Sequence, residues 1–351
     1  MDKNTALFDF GYNFLGPICG EYFHKLDSFI QTLDNPRLLF LAREGYFFDR
    51  VYNGLVEKQL IPTLDNDYLY VSRTFLFRIN IADIYTWQWS LTHKFKGTLQ
   101  KLLTGRFGFH FEQIADVFSQ TELSTEWILP EQEEELRGVL KKHLPELDAL
   151  VLSSRNAYFD YLRSLNFTGS QPLIFLDVGY SGTIQKLLTH MLEQNTEGFY
   201  FIATNPGKHK IGNQRATMHW AFKQKVRMGD GYTMLDRSLF LESLLTAPDG
   251  QLIDLVKKSE FDAQPFEFLF GWQAYTQRNF HELDRVMQGA EAAVFHMFRN
   301  DIRYSVQEIE TLYEQYTSRR NLLPRVAWPL FDVDDAISGH GNVNPLQLFG
   351  M

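Results

Sequence analysis

The segment from Leu173 to Thr183 has the residue types best suited to hold a small charged ligand. It reads LIFLDVGYSGT, in which the apolar run predicts a buried strand that ends at Asp177, and the glycines predict a tight turn into a helix. Ligands of open α/β sheets bind beyond the carboxyl ends of the strands. Amide groups at a helix N-terminus bind phosphate, and the hydroxyls of Ser181 and Thr183 can add hydrogen bonds. Asp177 would then bind sugar hydroxyls or a metal ion, unless the segment is only a steric strand–helix turn.

Two other predicted strand ends carry arginine. Arg43, Glu44 and Gly45 follow the apolar run LLFLA, and Arg73 follows the β-rich run YLYVS. A guanidinium group can bind a phosphate or pyrophosphate through two parallel hydrogen bonds, and Glu44 can bind a divalent metal or act as a base. We expect all three strand ends to meet at one rim of the sheet with Asp177. The alternative for Arg43 and Glu44 is an ordinary surface turn.

Glu242 is a further candidate, because it is an acid within the apolar helical run from Ser238 to Leu245. Burial of this carboxyl would raise its pKa and suit it to act as a base. The alternative is a position on a solvent-exposed helix face.

Two other motifs fit the chain less well. The spacing Asp177-x-Gly179-x-x-Gly182 occurs in nucleotide and methyl-donor Rossmann folds, but the third glycine of the dinucleotide motif is missing and Thr204 stands where an acid is needed. Asp332 and Asp334 resemble the paired aspartates of a haloacid-dehalogenase phosphatase. That motif must open its fold, so we expect only a solvated turn there.

The composition sets broad limits on function. The chain has 351 residues, of which 44% are hydrophobic and 22% charged, as in ordinary globular proteins. A net charge of −9 argues against a nucleic-acid partner, which needs a basic surface. Cys19 is the only cysteine, so neither an intrachain disulfide nor a cysteine metal cluster is expected. Because no signal sequence and no apolar run of transmembrane length occurs, we expect a cytoplasmic protein without a transmembrane segment.

Aromatic residues are abundant, at 15% of the chain. Phe40, Phe175, Phe199 and Phe201 fall in predicted strands, where core packing is expected. Five others lie at or beside a region of predicted helices, where they either pack in the core or form a stacking platform for a sugar. They are Trp87, Trp89, Phe107, Phe109 and Phe111.

The order of the predicted elements favours an α/β fold. Strands near 38–42, 68–71, 173–178 and 199–204 alternate with helices, which predicts a Rossmann-like, mostly parallel sheet. No strand is predicted between Gly105 and Phe167, and Pro130 is expected at the first position of a helix.

These elements divide the chain into three parts. We predict an α/β core of residues 1–90 and 170–255, a helical insertion of residues 91–169, and a helical C-terminal region of residues 256–351. The insertion would form the acceptor side of the site or a lid over it.

Three motifs together resemble a bacterial polysaccharide-biosynthesis family. They are FLAREGYFFDRVY, YLYVSR and FLDVGYSGTIQKLL, in this order. The family pattern is a strand followed by Ala-Arg-Asp-Gly, then Tyr-x-x-Ser-Arg, then Asp-x-Gly-x-Ser-Gly-Thr. The resemblance covers roughly residues 9–250. Members of the family often occur fused to, or encoded beside, a phosphatase of the haloacid-dehalogenase type.

The resemblance implies a fold similar to that of type I phosphoribosyltransferases. The implied reaction moves a 5-phosphoribosyl group from phosphoribosyl pyrophosphate to a lipid-linked glycan acceptor, with Mg²⁺ or Mn²⁺ as cofactor. The partner phosphatase would then remove the 5-phosphate and leave β-ribofuranose in a capsule or O-antigen.

The resemblance also implies roles for the residues at the three strand ends. The loop after the third strand would bind the 5-phosphate through Gly179, Tyr180, Ser181, Gly182 and Thr183. Pyrophosphate would be bound by Arg43, Glu44, Gly45 and Arg73.

The resemblance leaves more than one role open for each acidic residue. Asp177 would hold the ribose hydroxyls and, with Glu44, the metal ion. Asp177, Glu44 and Glu242 are all candidates for the catalytic base, and the sequence does not rank them. Val178 stands where type I enzymes usually have a second acid, and Glu44 where the family has Asp, so the metal ligands stay open.

Two other functions remain open at this point. One is a Rossmann enzyme that uses S-adenosylmethionine or a nucleotide, as Asp177-x-Gly179 allows. The other is a non-catalytic scaffold that binds a haloacid-dehalogenase phosphatase or a glycosyltransferase, for which the helical insertion and the aromatic-rich C-terminal region are suited.

Overall fold

A computed structural model describes residues 2–167, 171–259, 262, 264–335 and 341–351 of the chain. Twelve strands lie in these ranges: β1 (Arg37–Leu41), β2 (Asn66–Leu69), β3 (Phe95–Thr98), β4 (Glu126–Leu129), β5 (Leu173–Asp177), β6 (Thr196–Ala203), β7 (Gly207–Ile211), β8 (Gln214–Gln224), β9 (Leu252–Lys257), β10 (Phe266–Phe270), β11 (Val333–Asp335) and β12 (Gly341–Val343).

Seventeen α-helices accompany these strands in the described ranges: α1 (Lys3–Phe10), α2 (Gly16–Ile30), α3 (Gly45–Glu57), α4 (Arg73–Ile79), α5 (Trp87–Ser90), α6 (Leu99–Gly105), α7 (Phe111–Ala115), α8 (Gln120–Ser124), α9 (Glu133–Lys142), α10 (Leu144–Ser164), α11 (Thr183–Leu192), α12 (Thr233–Asp236), α13 (Leu239–Leu244), α14 (Tyr275–Arg278), α15 (Phe280–Arg299), α16 (Val306–Ser318) and α17 (Pro345–Leu348). A π-helical turn, Gly11–Leu15, joins α1 to α2. None of the described helices combines the length and the apolar character that crossing a lipid bilayer requires.

The central sheet has six strands in the order β2-β1-β5-β6-β8-β7. All neighbouring pairs are parallel except β7 and β8, which form an antiparallel edge. The prediction of an α/β fold with a mostly parallel sheet is therefore confirmed. The strand order reverses direction between β1 and β5, and in open α/β sheets a crevice forms at such a point.

Side chains of β1 alternate between the two faces of the sheet and contribute to two cores. Leu38 and Phe40 pack in the core that contains α2 and α3, while Leu39 and Leu41 pack in the core that contains α4 and α10. Burial on both faces explains why β1 and β5 are continuous apolar runs. Phe40, Phe175, Phe199 and Phe201 are all buried, as predicted from their strand positions.

The first and the late helices of the chain pack backbone to backbone. A Cβ atom added at Gly11 would lie 1.8 Å from the Val286 carbonyl oxygen, and one added at Gly289 would lie 2.0 Å from that of Phe8. Only glycine permits this close approach of the π-helical turn to α15. At the start of α1, the Lys3 ammonium forms an ion pair with Glu282 of α15 at 2.6 Å.

The two regions predicted as helical also contain short strands. Within 91–169, β3 pairs antiparallel with β4, and the C-terminal region contains β10, which pairs with β9 across the predicted boundary, and the β11–β12 pair. The prediction of no strand between Gly105 and Phe167 is wrong, because β4 has four residues and alternates buried Trp127 and Leu129 with exposed neighbours over too short a run to detect.

Pro130 does not begin a helix, contrary to the prediction. It follows β4 in a turn, with a cis bond to Leu129, and α9 begins at Glu133. Asp332 is not in a fully solvated turn: its carboxylate accepts hydrogen bonds from the Tyr275 amide at 2.7 Å and from the Asn342 side chain. Asp334 lies in β11.

Most of the rings considered for a stacking platform are core residues. Trp87 and Phe107 are fully buried and Phe109 is 3% exposed, so these three cannot contact a sugar. Phe111 is exposed and Trp89 half-buried.

Candidate active site

A cavity of about 230 Å³ opens where the carboxyl ends of β1, β2 and β5 meet. Residues of the loops after these three strands line the cavity, and α13 contributes Glu242 to the lining. The lining includes every candidate residue from the sequence except Gly45: Arg43, Glu44, Arg73, Asp177, Gly179, Tyr180, Ser181, Gly182, Thr183 and Glu242. The reversal of strand order between β1 and β5 creates the space they share.

Gly45 is the strand-end residue that does not line the cavity. It is buried at the first position of α3, where an added Cβ would lie 2.5 Å from the carbonyl carbon of Phe40. This glycine therefore serves the packing of α3 on β1. Its contact with pyrophosphate stays a prediction, which the geometry of the cavity does not favour.

The loop after β5 is shaped by two glycines in left-handed conformations. Gly179 has φ +42° and Gly182 has φ +66°. A Cβ atom added at Gly179 would lie 2.2 Å from the ring of Tyr200, and one added at Gly182 would lie 2.6 Å from the sulfur of Met218. Both backbone conformation and lack of space thus require glycine. The loop consequently packs closely against the Tyr200 side chain of β6 and the Met218 side chain of β8.

Polar groups line the inner side of this loop. The hydroxyls of Ser181 and Thr183 are 3.0 Å apart, and the Lys186 ammonium donates a hydrogen bond to the Ser181 carbonyl at 2.9 Å. Helix α11 begins at Thr183 and has ten residues, so its N-terminal amides face the loop. Amides, two hydroxyls and a nearby ammonium make this loop suited to bind a phosphate group.

A buried hydrogen-bond network centred on Gln185, which the sequence analysis did not predict, supports the loop of residues 179–183. The Tyr200 hydroxyl donates to Oε1 of Gln185 at 2.8 Å, and Nε2 of Gln185 donates to the Thr196 hydroxyl and the Thr217 carbonyl, each at 3.1 Å. Gln185 is fully buried on α11. Gln185 and Thr189, one turn apart on the buried face of α11, are both polar, and this pair is the sequence signal of the network. The network fixes α11 and β6 relative to each other, and with them the Tyr200 ring under Gly179.

Asp177 is the last residue of β5 and is largely enclosed by the cavity walls. Burial raises the pKa of its carboxyl well above the usual range, and the charges of Glu44 and Glu242 raise it further. The Val178 amide and the Arg73 guanidinium act in the opposite direction. An acid in this position binds a proton, a cation or a set of hydroxyl donors readily, because each of these relieves the repulsion.

The first loop presents Arg43 and Glu44 to the cavity. The Arg43 amide donates a hydrogen bond to Oε2 of Glu44 at 3.2 Å, and the peptide bond between Ala42 and Arg43 is cis. Arg73 enters from the neighbouring strand as the first residue of α4. Ser72 caps that helix, accepting from the Phe75 amide and donating to the Leu252 carbonyl at 2.7 Å, and it thereby fixes the point from which Arg73 extends.

Glu242 lies on the cavity wall and not on a solvent-exposed helix face. Its Oε1 accepts a hydrogen bond from the Tyr180 hydroxyl at 3.2 Å. Burial and the charge of Glu44 raise the pKa of Glu242 to about 7, although hydrogen bonds from Ser238 and Tyr180 and the charge of Arg43 oppose this shift. A carboxyl with this pKa can take up or release a proton near neutral pH.

Asp177 and Glu44 are the two cavity acids that the sequence suggested as metal ligands. Within the described ranges, His, Cys, Asp and Glu side chains form no group of three that is arranged to hold a metal ion. Mg²⁺ commonly uses one or two carboxylates and takes its other ligands from water and substrate phosphates. The electrostatic repulsion between Asp177 and Glu44 fits a cation held in that way.

No protein-family model matches the chain, and no curated protein matches it in sequence.

Proposed function

We propose that this protein transfers a 5-phosphoribosyl group from phosphoribosyl pyrophosphate to a hydroxyl of a glycan. The observation that carries the proposal is the convergence of three strand ends on one cavity. They bring together two arginines, an acid at the end of β5 and, at the N-terminus of α11, a loop suited to bind a phosphate group. This combination suits a ligand that has a phosphate at one end, sugar hydroxyls in the middle and a pyrophosphate at the other end.

Each part of the donor has a matching part of the cavity. The loop of residues 179–183 would bind the 5-phosphate, Asp177 would accept hydrogen bonds from the ribose hydroxyls, and Arg43 and Arg73 would bind the pyrophosphate. The strand order and the position of the cavity support a fold similar to that of type I phosphoribosyltransferases.

Asp177 and Glu44 would hold Mg²⁺ or Mn²⁺ together with the donor. When bound, the cation supplies positive charge that stabilises the departing pyrophosphate. Arg43 and Arg73 would supply further positive charge to the same leaving group.

The reaction needs a base for the acceptor hydroxyl. The bond from the anomeric carbon of ribose to pyrophosphate breaks while the acceptor oxygen attacks from the opposite face, so an α-configured donor gives a β product. We take Glu242 as the base, because its pKa of about 7 lets it take up a proton near neutral pH and it comes from α13, not from the strand ends that would bind the donor. The hydrogen bond from Tyr180 orients the Glu242 carboxyl.

The product would carry a 5-phosphate on its new ribose. A phosphatase of the haloacid-dehalogenase type would be the partner that removes it and leaves β-ribofuranose in a surface polysaccharide. The acceptor would be a lipid-linked capsule or O-antigen glycan.

Ligand binding tests the proposal without knowledge of the acceptor. We expect phosphoribosyl pyrophosphate with Mg²⁺ to raise the melting temperature of the protein, since saturation to about 100 times Kd stabilises a fold by about 2.7 kcal/mol. Ribose 5-phosphate and pyrophosphate serve as partial ligands. Absence of any stabilisation by the complete donor would contradict the proposal.

The same assay addresses the other two functions. Asp177-x-Gly179 favours a methyl-donor enzyme as the second candidate, and stabilisation by S-adenosylmethionine but not by the phosphoribosyl donor would support it. Stabilisation by neither ligand, together with capture of a phosphatase or glycosyltransferase, would support a scaffold.

A further inference from the structure

A strip of surface leads away from the cavity along helix α11. Thr183, Lys186 and His190 are spaced three and four residues apart, so they lie on the same face of this helix. From Thr183 to His190 the helix rises about 10 Å. This face of α11 therefore leads from the loop of residues 179–183 to a second group of residues at the far end of the helix.

Aromatic rings form that second group. The ring centroids of Tyr85 and His190 are 4.9 Å apart, and Trp89 packs edge-on to Tyr85 with centroids 5.5 Å apart. Tyr85 is 38% exposed, and Trp89 and His190 are half-buried. Large rings that remain open to solvent while contacting one another offer a rigid apolar surface to a ligand.

Hydrogen bonds fix the edges of these rings. The Tyr85 hydroxyl accepts from the Gly212 amide at 2.7 Å, and Nε2 of His190 lies 2.6 Å from Oδ2 of Asp83. The Asp83 side chain is 40% exposed beside the rings, and its other oxygen, Oδ1, accepts a hydrogen bond from the Tyr85 amide at 3.0 Å. An apolar surface with a carboxylate at its edge matches a sugar, which has C–H faces and hydroxyl edges.

The chain that follows Trp89 carries His93 to the neighbourhood of Arg73 and Lys186. The buried Arg106 guanidinium donates to the carbonyls of Ser90, His93 and Lys94 at 3.0, 3.2 and 2.9 Å, and so fixes this segment. Partial burial and the charges of Arg73, Arg106 and Lys186 lower the pKa of His93 to about 4. His93 is exposed, and its ring lies near enough to Lys186 and to Arg73 of the cavity for their charges to act on it.

We infer that an extended glycan binds along this acceptor strip, defined as Tyr85, Trp89, His93, Lys186 and His190. Sugar rings stack on Tyr85 and Trp89, and the exposed imidazole of His93 hydrogen-bonds a hydroxyl nearer the cavity. The reacting hydroxyl then enters the cavity beside the loop of residues 179–183. This inference rests on the proposed transfer to a glycan.

Nucleic acid is the other polymer that stacks on exposed rings. The net charge of −9 and the partly exposed carboxylate of Asp83 disfavour a polyphosphate chain on this surface. A neutral or weakly charged glycan meets no such repulsion.

Binding to an array of bacterial polysaccharide fragments tests the inference, with an oligothymidylate as the nucleic-acid probe. We expect the wild-type protein to bind at least one glycan, and Tyr85→Ala and Trp89→Ala to weaken that binding about tenfold each, a loss of about 1.4 kcal/mol. Tyr85→Phe keeps the ring and is expected to keep binding. Phe111→Ala, which removes an exposed ring outside the strip, is the matched control.

The outcomes separate the strip from the proposed function. Both the strip and the proposed function are supported if phosphoribosyl pyrophosphate stabilises wild type and all variants, while glycan binding is lost only in Tyr85→Ala and Trp89→Ala. Three results would overturn the inference that the strip binds a glycan. They are donor binding without glycan binding, equal glycan binding by all variants, and binding of only the oligonucleotide. Glycan binding that needs the strip, without donor binding, overturns the proposed function alone. Should Trp89→Ala not fold by circular dichroism, the exposed Tyr85 variants decide.

Discussion

The Tyr180 hydroxyl donates a hydrogen bond to Oε1 of Glu242 across 3.2 Å and thereby joins the loop after β5 to helix α13. The two residues are 62 positions apart in the chain. This bond fixes the Glu242 carboxyl, the candidate base, relative to the loop that is suited to bind the 5-phosphate. A ligand that orders the loop therefore also orders the carboxyl.

Glu242→Gln tests the role of that carboxyl as base. We expect kcat to fall by about 10²–10⁴, the usual contribution of a positioned general base. The wild-type profile of kcat/KM against pH should rise through about pH 7, because the base acts only when deprotonated and the pKa of Glu242 is about 7. The variant should lack this limb. Glu57→Gln, on the exposed surface of α3, is the control, and an unchanged pH profile in Glu242→Gln would remove Glu242 from the mechanism.

Asp177→Asn should separate stability from activity. Because burial and Glu44 raise the pKa of Asp177, this carboxyl stabilises the fold most below its unfolded pKa and loses that contribution as the pH rises. We therefore expect the variant to melt above wild type at about pH 8, with the difference shrinking toward about pH 4. Turnover should be abolished.

The control for Asp177→Asn is Asp116→Asn, which changes an exposed carboxyl. Calorimetric scans across the pH range measure both. Wild-type turnover in Asp177→Asn, or a lower melting temperature than wild type at alkaline pH, would contradict the assignment.

Gly179→Ala tests the fit of the loop on Tyr200. A left-handed backbone costs a non-glycine residue about 1–2 kcal/mol, and crowding in a packed site costs about 1–3 kcal/mol more. Gly212→Ala is matched, since Gly212 also has a positive φ of +58° but an added Cβ there meets open space. Urea denaturation should show the larger loss for Gly179→Ala, together with weaker donor binding. Equal losses in the two variants would show that Tyr200 does not constrain the loop.

Arg73→Ala should weaken the binding of phosphoribosyl pyrophosphate. A lost charge-assisted hydrogen bond is worth about 1.5–3 kcal/mol, which corresponds to about a tenfold to hundredfold rise in Kd. Arg73→Lys should recover only part of the affinity, because an ammonium does not form the paired bonds of a guanidinium. Titration calorimetry measures this, and Arg215→Ala at an exposed position is the control. Unchanged affinity in Arg73→Ala would exclude contact with the donor.

The sequence predicted the sheet and the strand ends because both depend on local patterns. Apolar runs such as that of β5 mark strands buried on two faces, and parallel strands place their ends at one edge, so the amino-acid pattern is enough to expect Arg73 near Asp177. The same reasoning failed for β4, whose four residues are specified by pairing with β3 and not by their own pattern.

Residues that act by long-range packing were beyond sequence reasoning. Gln185 and Tyr200 are ordinary members of a helix and a strand, and only the fold makes them partners. Tyr85 and His190 are likewise far apart in the chain and meet through the packing of α11 beside the segment that follows α4. By contrast, the motif around Gly45 predicted that this residue binds pyrophosphate, whereas in the fold Gly45 allows α3 to pack on β1.

The close contact of α1 and the π-helical turn with α15 bears on how the chain is made in the cell. Lys3 and Glu282 lie 279 positions apart, so the N-terminal helices leave the ribosome long before their partner is synthesised. During that interval buried side chains such as Phe10 and Phe14 have nothing from α15 to cover them. We expect nascent chains to be chaperone clients until about residue 300 has emerged, and truncation at residue 255 to yield an insoluble product.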